Sequence, residues 1–151
     1  MRRRDRSWRR SVSEAATLAV AAVALLGCTQ TTRVRVGETF SVGQFRLRVQ
    51  SVTAEQRRNY KGVRLDVEIR LSCDGGTRFD RMDLAEALTR KGRVYFRAEG
   101  GWRERLYLSA SGEDARALVT HAYPAADSRG YVLSLDNPYG KPEQIEVDLG
   151  R

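Results

Sequence analysis

The side chains best suited to nucleophilic or metal chemistry are few in this sequence: one histidine, His121, and two cysteines, Cys28 and Cys73. A Ser–His–Asp triad or a zinc site needs at least one histidine with suitable partners. The segment around His121 reads ALVTHAY and holds neither a cysteine nor a carboxylate. We therefore predict that His121 is structural, that the protein is not an enzyme, and that it binds no metal or cofactor.

The second cysteine and the acidic loops also favour structural roles. Cys73 is predicted to be a small buried hydrophobic residue, with intermolecular disulfide exchange as the alternative. Asp74, Glu113–Asp114 and Asp136 lie in glycine- or asparagine-containing segments and could offer oxygens to calcium. They lack the alternating ligand positions and terminal glutamate of an EF-hand loop. Turn formation accounts for these residues.

Cys28 follows a segment with the features of an export signal. Six arginines lie within the first ten residues, and an apolar run of 12 residues covers 15–26. A helix of that length rises about 18 Å, too short for a hydrocarbon core of about 30 Å. A basic start, a short apolar stretch and a small residue before the cut are typical of a signal peptide. The Arg9-Arg10 pair leaves the general and the twin-arginine export routes both open.

The end of this segment carries a more specific pattern. Leu25-Leu26-Gly27-Cys28 resembles the lipobox of bacterial lipoproteins. The resemblance implies a diacylglyceryl group on the Cys28 thiol, with Leu25, Leu26 and Gly27 recognised by the peptidase that removes residues 1–27. Two or more acyl chains hold a protein stably on a bilayer. The alternative is an ordinary signal peptide followed by a chance cysteine.

This resemblance predicts where the protein is found. We expect an exported protein that is lipid-anchored to the cell envelope. The anchor would lie in the outer membrane of a cell with two membranes, and in the outer face of the cell membrane otherwise.

The length and charge narrow the remaining possibilities. The 151 residues suit one domain, and they are too few for an eight-stranded α/β barrel of roughly 250 residues. The formal net charge is +8, but residues 1–27 alone contribute +4 through six arginines, Asp5 and Glu14. Because half of the basic excess belongs to the export signal, we predict no nucleic-acid partner.

After a polar tether at residues 28–32, the hydrophobic pattern has a period of two. Apolar residues alternate with charged ones from Val63 to Leu71, which directs one face of a strand to a core. We predict further strands at 33–36, 45–50, 93–98, 103–109, 115–123, 130–135 and 144–149, separated by turn signals. Residues 81–89 have helix-forming composition, yet we favour a strand or short turn because their neighbours are strands. The pattern predicts an all-β fold, an antiparallel sandwich of seven to nine strands at 33–151.

Two early segments carry a family resemblance. The sequences VGETFSVG at 36–43 and FRLRVQSV at 45–52 resemble the telokin-like, immunoglobulin-fold domain of many secreted bacterial lipoproteins. The long strand, the segment LTRKGRVY at 88–95 and the segment YVLSL at 131–135 follow in the same order. The resemblance covers most of 36–149 and implies an extracellular, non-enzymatic, immunoglobulin-like β-sandwich.

Arginine outnumbers lysine 24 to three in this chain. Its guanidinium group binds phosphates and carboxylates through two parallel hydrogen bonds and stacks on aromatic rings. We predict a basic aromatic binding face from outward positions of several strands: Arg46, Arg48, Arg93, Tyr95, Arg97, Arg103, Arg105 and Tyr107. The alternative is a solvated sheet surface in an arginine-rich chain.

Together these patterns predict a membrane-anchored binding or structural module of the cell envelope. Its partners would be the membrane, through the lipid on Cys28, and an envelope protein or an anionic polymer. The alternatives are a hydrolase of envelope polymers and a carrier of a small ligand or metal.

Overall fold

A computed structural model describes residues 29–59 and 62–151 of the chain. Within these residues it contains ten strands, one α-helix and three single 3-10 turns. The elements in chain order are β1 (Thr31–Arg35), β2 (Thr39–Val42), β3 (Phe45–Asn59), β4 (Gly62–Asp74), α1 (Arg78–Thr89), β5 (Val94–Arg97), β6 (Arg103–Arg105), β7 (Ser109–Ser111), β8 (Ala117–Ala122), β9 (Val132–Asp136) and β10 (Gln144–Asp148).

The strands form two five-stranded sheets. Sheet I has the order β1-β10-β9-β5-β6, and sheet II has the order β2-β3-β4-β8-β7. All pairings are antiparallel except the parallel pair β1–β10. The expectation of a mostly β, sandwich-like protein is therefore confirmed. The described residues contain ten strands, one more than the highest number in the predicted range of seven to nine.

The predicted strand at 103–109 accounts for part of this difference. It is divided into β6 and β7, which belong to different sheets. The chain crosses between the sheets here, and Leu106 and Leu108 are buried in the crossing. At the other end of the domain β1 begins at Thr31, so sheet I takes in two residues of the segment assigned to the tether.

The core lies between the facing sides of the two sheets. Phe96 on β5 is fully buried and contacts the rings of Tyr131 and Trp102 at centroid distances of 5.0 and 5.5 Å. Burying one such side chain stabilises the fold by about 1.5–3 kcal/mol. Fully buried residues from both sheets belong to the same hydrophobic core, among them Leu47, Ile69, Leu71, Leu118, Leu133, Leu135 and Ile145.

The strand or short turn predicted at 81–89 is wrong, because this segment lies in α1. A capping box begins the helix: the Asp80 amide donates to the Thr77 hydroxyl at 3.2 Å, and the Thr77 amide donates to the Asp80 carboxylate at 2.6 Å. Hydrogen bonds from the backbone amide and the side chain of Thr77 to the carboxylate lower the pKa of Asp80. The consecutive residues Leu84 and Ala85 are both buried, which fits one face of a helix and not the alternation of a strand.

A buried arginine joins α1 to two neighbouring loops. Arg81 is only 7% exposed, and its guanidinium donates to the backbone carbonyls of Gly75, Gly76 and Asp114 at 2.6–3.1 Å. These bonds satisfy a charged group that would otherwise be costly to bury. The loop after β4 and the loop before β8 are thereby held against one side of the helix.

The burial of α1 predicts a difference in stability between two helix positions. Leu84→Ala should lower the free energy of unfolding by about 2–5 kcal/mol, because Leu84 is fully buried. Met82→Ala, on the exposed side of the same helix, should change it by no more than about 0.5 kcal/mol. Urea denaturation of both variants measures this difference, and equal effects would contradict the placement of the helix.

Candidate binding site at the β5–β6 edge

The eight residues predicted to form a basic aromatic face do not lie on one surface. Arg46 and Arg48 are on β3 in sheet II, whereas the other six are on or beside β5 and β6 in sheet I. Leu47 lies between the two β3 arginines and is fully buried, so both point outward from sheet II. The expected face is thus divided between opposite sides of the sandwich.

Four of the sheet I residues do come together, and we call them the arginine–tyrosine cluster: Tyr95, Arg103, Arg105 and Tyr107. The Arg103 guanidinium carbon lies 3.6 Å from the centroid of the Tyr95 ring. The Arg105 guanidinium carbon lies 5.1 Å from the centroid of the Tyr107 ring. Both distances are within the range of cation–π attraction. Each guanidinium group therefore lies over a tyrosine ring.

The strand register explains why these side chains meet. Tyr95 pairs with Arg105, and Arg97 pairs with Arg103, across the antiparallel β5–β6 ladder. Directly opposite residues on one face of such a ladder have Cβ atoms about 4.5–5.5 Å apart. Val94 and Phe96 are fully buried, so Tyr95 and Arg97 must point outward. Because one face of β5 packs in the core, the arginine–tyrosine cluster lies on the opposite face of the sheet.

Arg97 and Arg93 differ from the cluster in their surroundings. Arg97 forms an ion pair with Glu146 on β10, which also pairs with Arg33 at 3.2 Å. The charge of Arg97 is thus neutralised by a carboxylate of the same sheet. Arg93 precedes β5, and its backbone carbonyl accepts a hydrogen bond from the Asp136 amide at 2.8 Å. Among residues 29–59 and 62–151, neither Arg103 nor Arg105 has a carboxylate within 4.0 Å.

The cluster depends on a glycine in the turn before β5. Gly92 is buried and has a φ of +67°, a backbone conformation that residues with a side chain rarely adopt. A Cβ at this position would lie 2.9 Å from the Tyr95 hydroxyl and 3.1 Å from Cδ of Arg105. The missing side chain therefore gives Tyr95 and Arg105 room to pack. Arg105 also donates to the carbonyl of Thr89, at the end of α1, at 3.4 Å.

An open groove adjoins the cluster, with a volume of about 620 Å³. Its apolar lining comes from α1 and from the crossing between sheets, through Met82, Ala85, Leu108 and Ala110. Arg105 and Lys91 lie at its edge. This groove was not expected, because a strand or short turn was predicted at 81–89 where the helix α1 lies. The capping residues Thr77 and Asp80, and the i, i+4 spacing of the leucines in α1, were the signals that could have found it.

The charges around the groove are not balanced. Glu86 is paired with Arg90 at 2.5 Å, and this hydrogen bond raises the pKa of the Arg90 guanidinium. The pair is an i, i+4 contact on the exposed surface of α1. Lys91 and Arg105 lack such a carboxylate neighbour in the part of the chain that the structure describes. The groove can therefore receive an apolar group while two cations face an attached anionic group.

The other sequence-predicted positions lie elsewhere. His121 is exposed on β8, opposite Glu68 of β4. In the described residues, no three His, Cys, Asp or Glu side chains form a group that could hold a metal ion. Nor does this part of the chain contain a helix long and apolar enough to cross a membrane. Leu25, Leu26, Gly27, Cys28 and the expected signal helix lie outside the described residues.

Cys73 is fully buried on the inner face of β4, which confirms the prediction of a buried cysteine. Burial raises the pKa of its thiol from 9.0 to about 11, and the nearby Arg81 opposes this effect. The thiolate is the reactive form of cysteine. The folded protein therefore keeps Cys73 protonated and out of contact with disulfide partners.

This buried thiol predicts a loss of stability in alkaline solution. Between pH 9 and 11 the thiol ionises in the unfolded chain but stays protonated in the folded one, so the free energy of unfolding falls as the pH rises. The loss should be on the order of 2 kcal/mol. Urea denaturation across this range, with Cys28→Ser as the parent chain, should show a smaller fall when Cys73→Ala is added. An unchanged slope would contradict this assignment.

Comparisons with known proteins add little to this geometry. No protein-family model matches the chain, and no curated protein matches it. Among solved structures, the chain is similar to the yjhA protein from Bacillus subtilis, with 15% sequence identity and a TM-score of 0.41. The similarity covers 77% of this chain and 98% of the yjhA chain.

Proposed function

We propose that this protein is a lipid-anchored module of the cell envelope whose immunoglobulin-like domain binds an anionic envelope polymer through the arginine–tyrosine cluster. One observation supports the binding role most directly. Arg103 and Arg105 are both stacked on tyrosine rings, and neither has a carboxylate neighbour among the described residues. Two neighbouring guanidinium groups suit phosphate or carboxylate groups, which each can bind through two hydrogen bonds.

The strand order supports the immunoglobulin-like assignment. An immunoglobulin constant domain has strands A-B-E-D in one sheet and C-F-G in the other. In this chain β3-β4-β8-β7 and β5-β9-β10 have the same order when the strands are numbered along the sequence. The remaining strands, β1, β2 and β6, are added at the sheet edges.

A tyrosine before β9 supports the same assignment. The hydroxyl of Tyr131 donates to the backbone carbonyl of Ser128 at 2.8 Å. Immunoglobulin-like domains have a tyrosine corner at this place, near the start of strand F, with the hydroxyl bonded a few residues upstream. Phe96 lies on β5, the equivalent of strand C, where antibody domains bury a tryptophan.

The position of the first strand supports anchoring through Cys28. The Gln144 amide donates to the carbonyl of Gln30 at 3.2 Å, and β1 begins at the next residue. Two residues, Thr29 and Gln30, lie between Cys28 and Thr31, so the three Cα–Cα steps span at most about 11 Å when extended. Acyl chains on Cys28 would therefore hold the domain close to the bilayer surface.

The groove supports a second candidate function, the carriage of a small ligand. Its volume of about 620 Å³ is within the range of small-molecule sites. Apolar side chains line it, and the cations Lys91 and Arg105 lie at its edge. This arrangement suits a compact amphipathic anion, with its apolar part against α1.

Binding to anionic polymers tests the first proposal. The double variant Arg103→Ala/Arg105→Ala should weaken binding to immobilised polygalacturonate or dextran sulfate at least tenfold, since it removes both stacked cations. Arg46→Ala/Arg48→Ala is the matched control: it removes the same charge from the opposite sheet and should leave affinity within twofold. Equal losses in the two variants would show attraction by net charge alone and would contradict the proposed site.

Cell fractionation tests the anchor. Cys28→Ser should move the protein from the membrane fraction to the soluble fraction and abolish incorporation of labelled fatty acid, because only a thiol can form the thioether. Cys73→Ala is the control and should keep both the label and the membrane location. A Cys28→Ser protein that stays in the membrane fraction would contradict a lipid anchor at this residue.

A further inference from the structure

We propose that one end of the sandwich contacts the bilayer, with Phe79, Met82 and Tyr139 inserted among the lipid headgroups. This inference rests on the proposed lipid anchor. We call the surface the proximal end, and it consists of Gln30, the β2–β3 turn (43–44), the segment 75–83 that includes the start of α1, and the β9–β10 loop (137–143).

Direct contacts place the first strand and two loops at this end. Gln30, which precedes β1, accepts a hydrogen bond from Gln144 at the start of β10. The β9–β10 loop just before Gln144 carries Tyr139, whose ring lies 6.4 Å from that of Phe45. Tyr139 also packs on Gly43 of the β2–β3 turn, where a Cβ would lie 3.0 Å from Cγ of Tyr139.

The start of α1 belongs to the same end. A Cβ on Gly75 would lie 2.8 Å from the carbonyl oxygen of Gln44, in the β2–β3 turn. A Cβ on Gly76 would lie 2.9 Å from Cε1 of Phe45. The helix therefore begins beside the β2–β3 turn, which Tyr139 covers.

Large apolar side chains are exposed here. Phe79 is 74% exposed, Tyr139 50% and Met82 45%. Phe79 and Met82 are three residues apart on α1, so they lie on one face of the helix. Aromatic rings are favoured at the membrane–water interface, and apolar side chains of a surface helix can insert to the depth of the headgroups.

The charges at this end indicate contact through apolar groups. Arg78 and Lys141 can approach lipid phosphates, whereas Asp83 and Glu143 oppose a strongly anionic surface. Asp80 is occupied in the capping box of α1. Because cationic and acidic side chains are mixed at this end, we expect it to dock on zwitterionic phosphatidylcholine. The extent of docking should depend little on the salt concentration.

The opposite end of the sandwich provides the comparison. Tyr123 follows β8 and is 51% exposed, similar to Tyr139. It lies near the β3–β4 hairpin, since Ala122 pairs with Val67 and Ala125 forms a bridge with Arg64. If the proximal end faces the bilayer, Tyr123 must point away from it.

Tryptophan fluorescence in vesicles tests this orientation. The acylated protein is reconstituted into phosphatidylcholine vesicles whose acyl chains carry bromine near the headgroup, and quenching is compared with unbrominated vesicles. Phe79→Trp and Tyr139→Trp should each add fluorescence of which at least half is quenched. The matched control Tyr123→Trp should add fluorescence that is quenched by less than a tenth, at both low and high salt.

Two results would overturn the orientation. Unquenched fluorescence at position 79, or equal quenching at positions 79 and 123, would show that the proximal end does not dock, although an intact acyl mass and vesicle association would leave the anchor standing. A protein that lacks the acyl mass and stays off the vesicles would instead reject the proposed anchor itself.

Discussion

The burial of two sheet faces against each other is the constraint on which the rest of the structure depends. Phe96 contacts Tyr131 and Trp102 at the centre of this core, and strands from both sheets surround it. Side chains alternate along a strand, so each buried position forces its neighbour outward. Tyr95 is exposed to solvent because Val94 and Phe96 are buried. The same packing that stabilises the domain thus places tyrosine and arginine side chains together on its surface.

The alternation of apolar and charged residues was sufficient to predict most strands but not their number or the helix. In β4 the pattern is strict and extends over the whole buried part of the strand. In α1 the local sequence favours a helix, although the neighbouring segments in the chain are strands. The capping box and the burial of Leu84 and Leu88 stabilise this helix. The segment at 103–109 also alternates, yet it changes sheets in the middle, which a local pattern cannot show.

Only part of the candidate binding site could be predicted from the sequence, because the assignment of strands to sheets is again not shown by a local pattern. Period-two patterning identifies outward arginines, but it does not say which sheet a strand joins. The hairpin β3–β4 stays in sheet II, and α1 then carries the chain across to sheet I. Arg46 and Arg103 are thereby separated by the thickness of the sandwich. The helix signals in the sequence could indicate the α1 wall of the groove, but no local pattern shows that Lys91 and Arg105 lie beside that wall.

We propose that the domain is held at a membrane and oriented there through the residues just before β1. β1 begins three residues after Cys28, so a lipid on that cysteine would bring this end of the sandwich toward a bilayer, while the arginine–tyrosine cluster lies on the outer face of sheet I. Intact-mass spectrometry of the protein extracted from membranes tests the proposed lipid at Cys28. We expect a chain that begins at Cys28 and carries the added mass of a diacylglyceryl group. A chain that retains residues 1–27, or one with an unmodified Cys28 thiol, would contradict it.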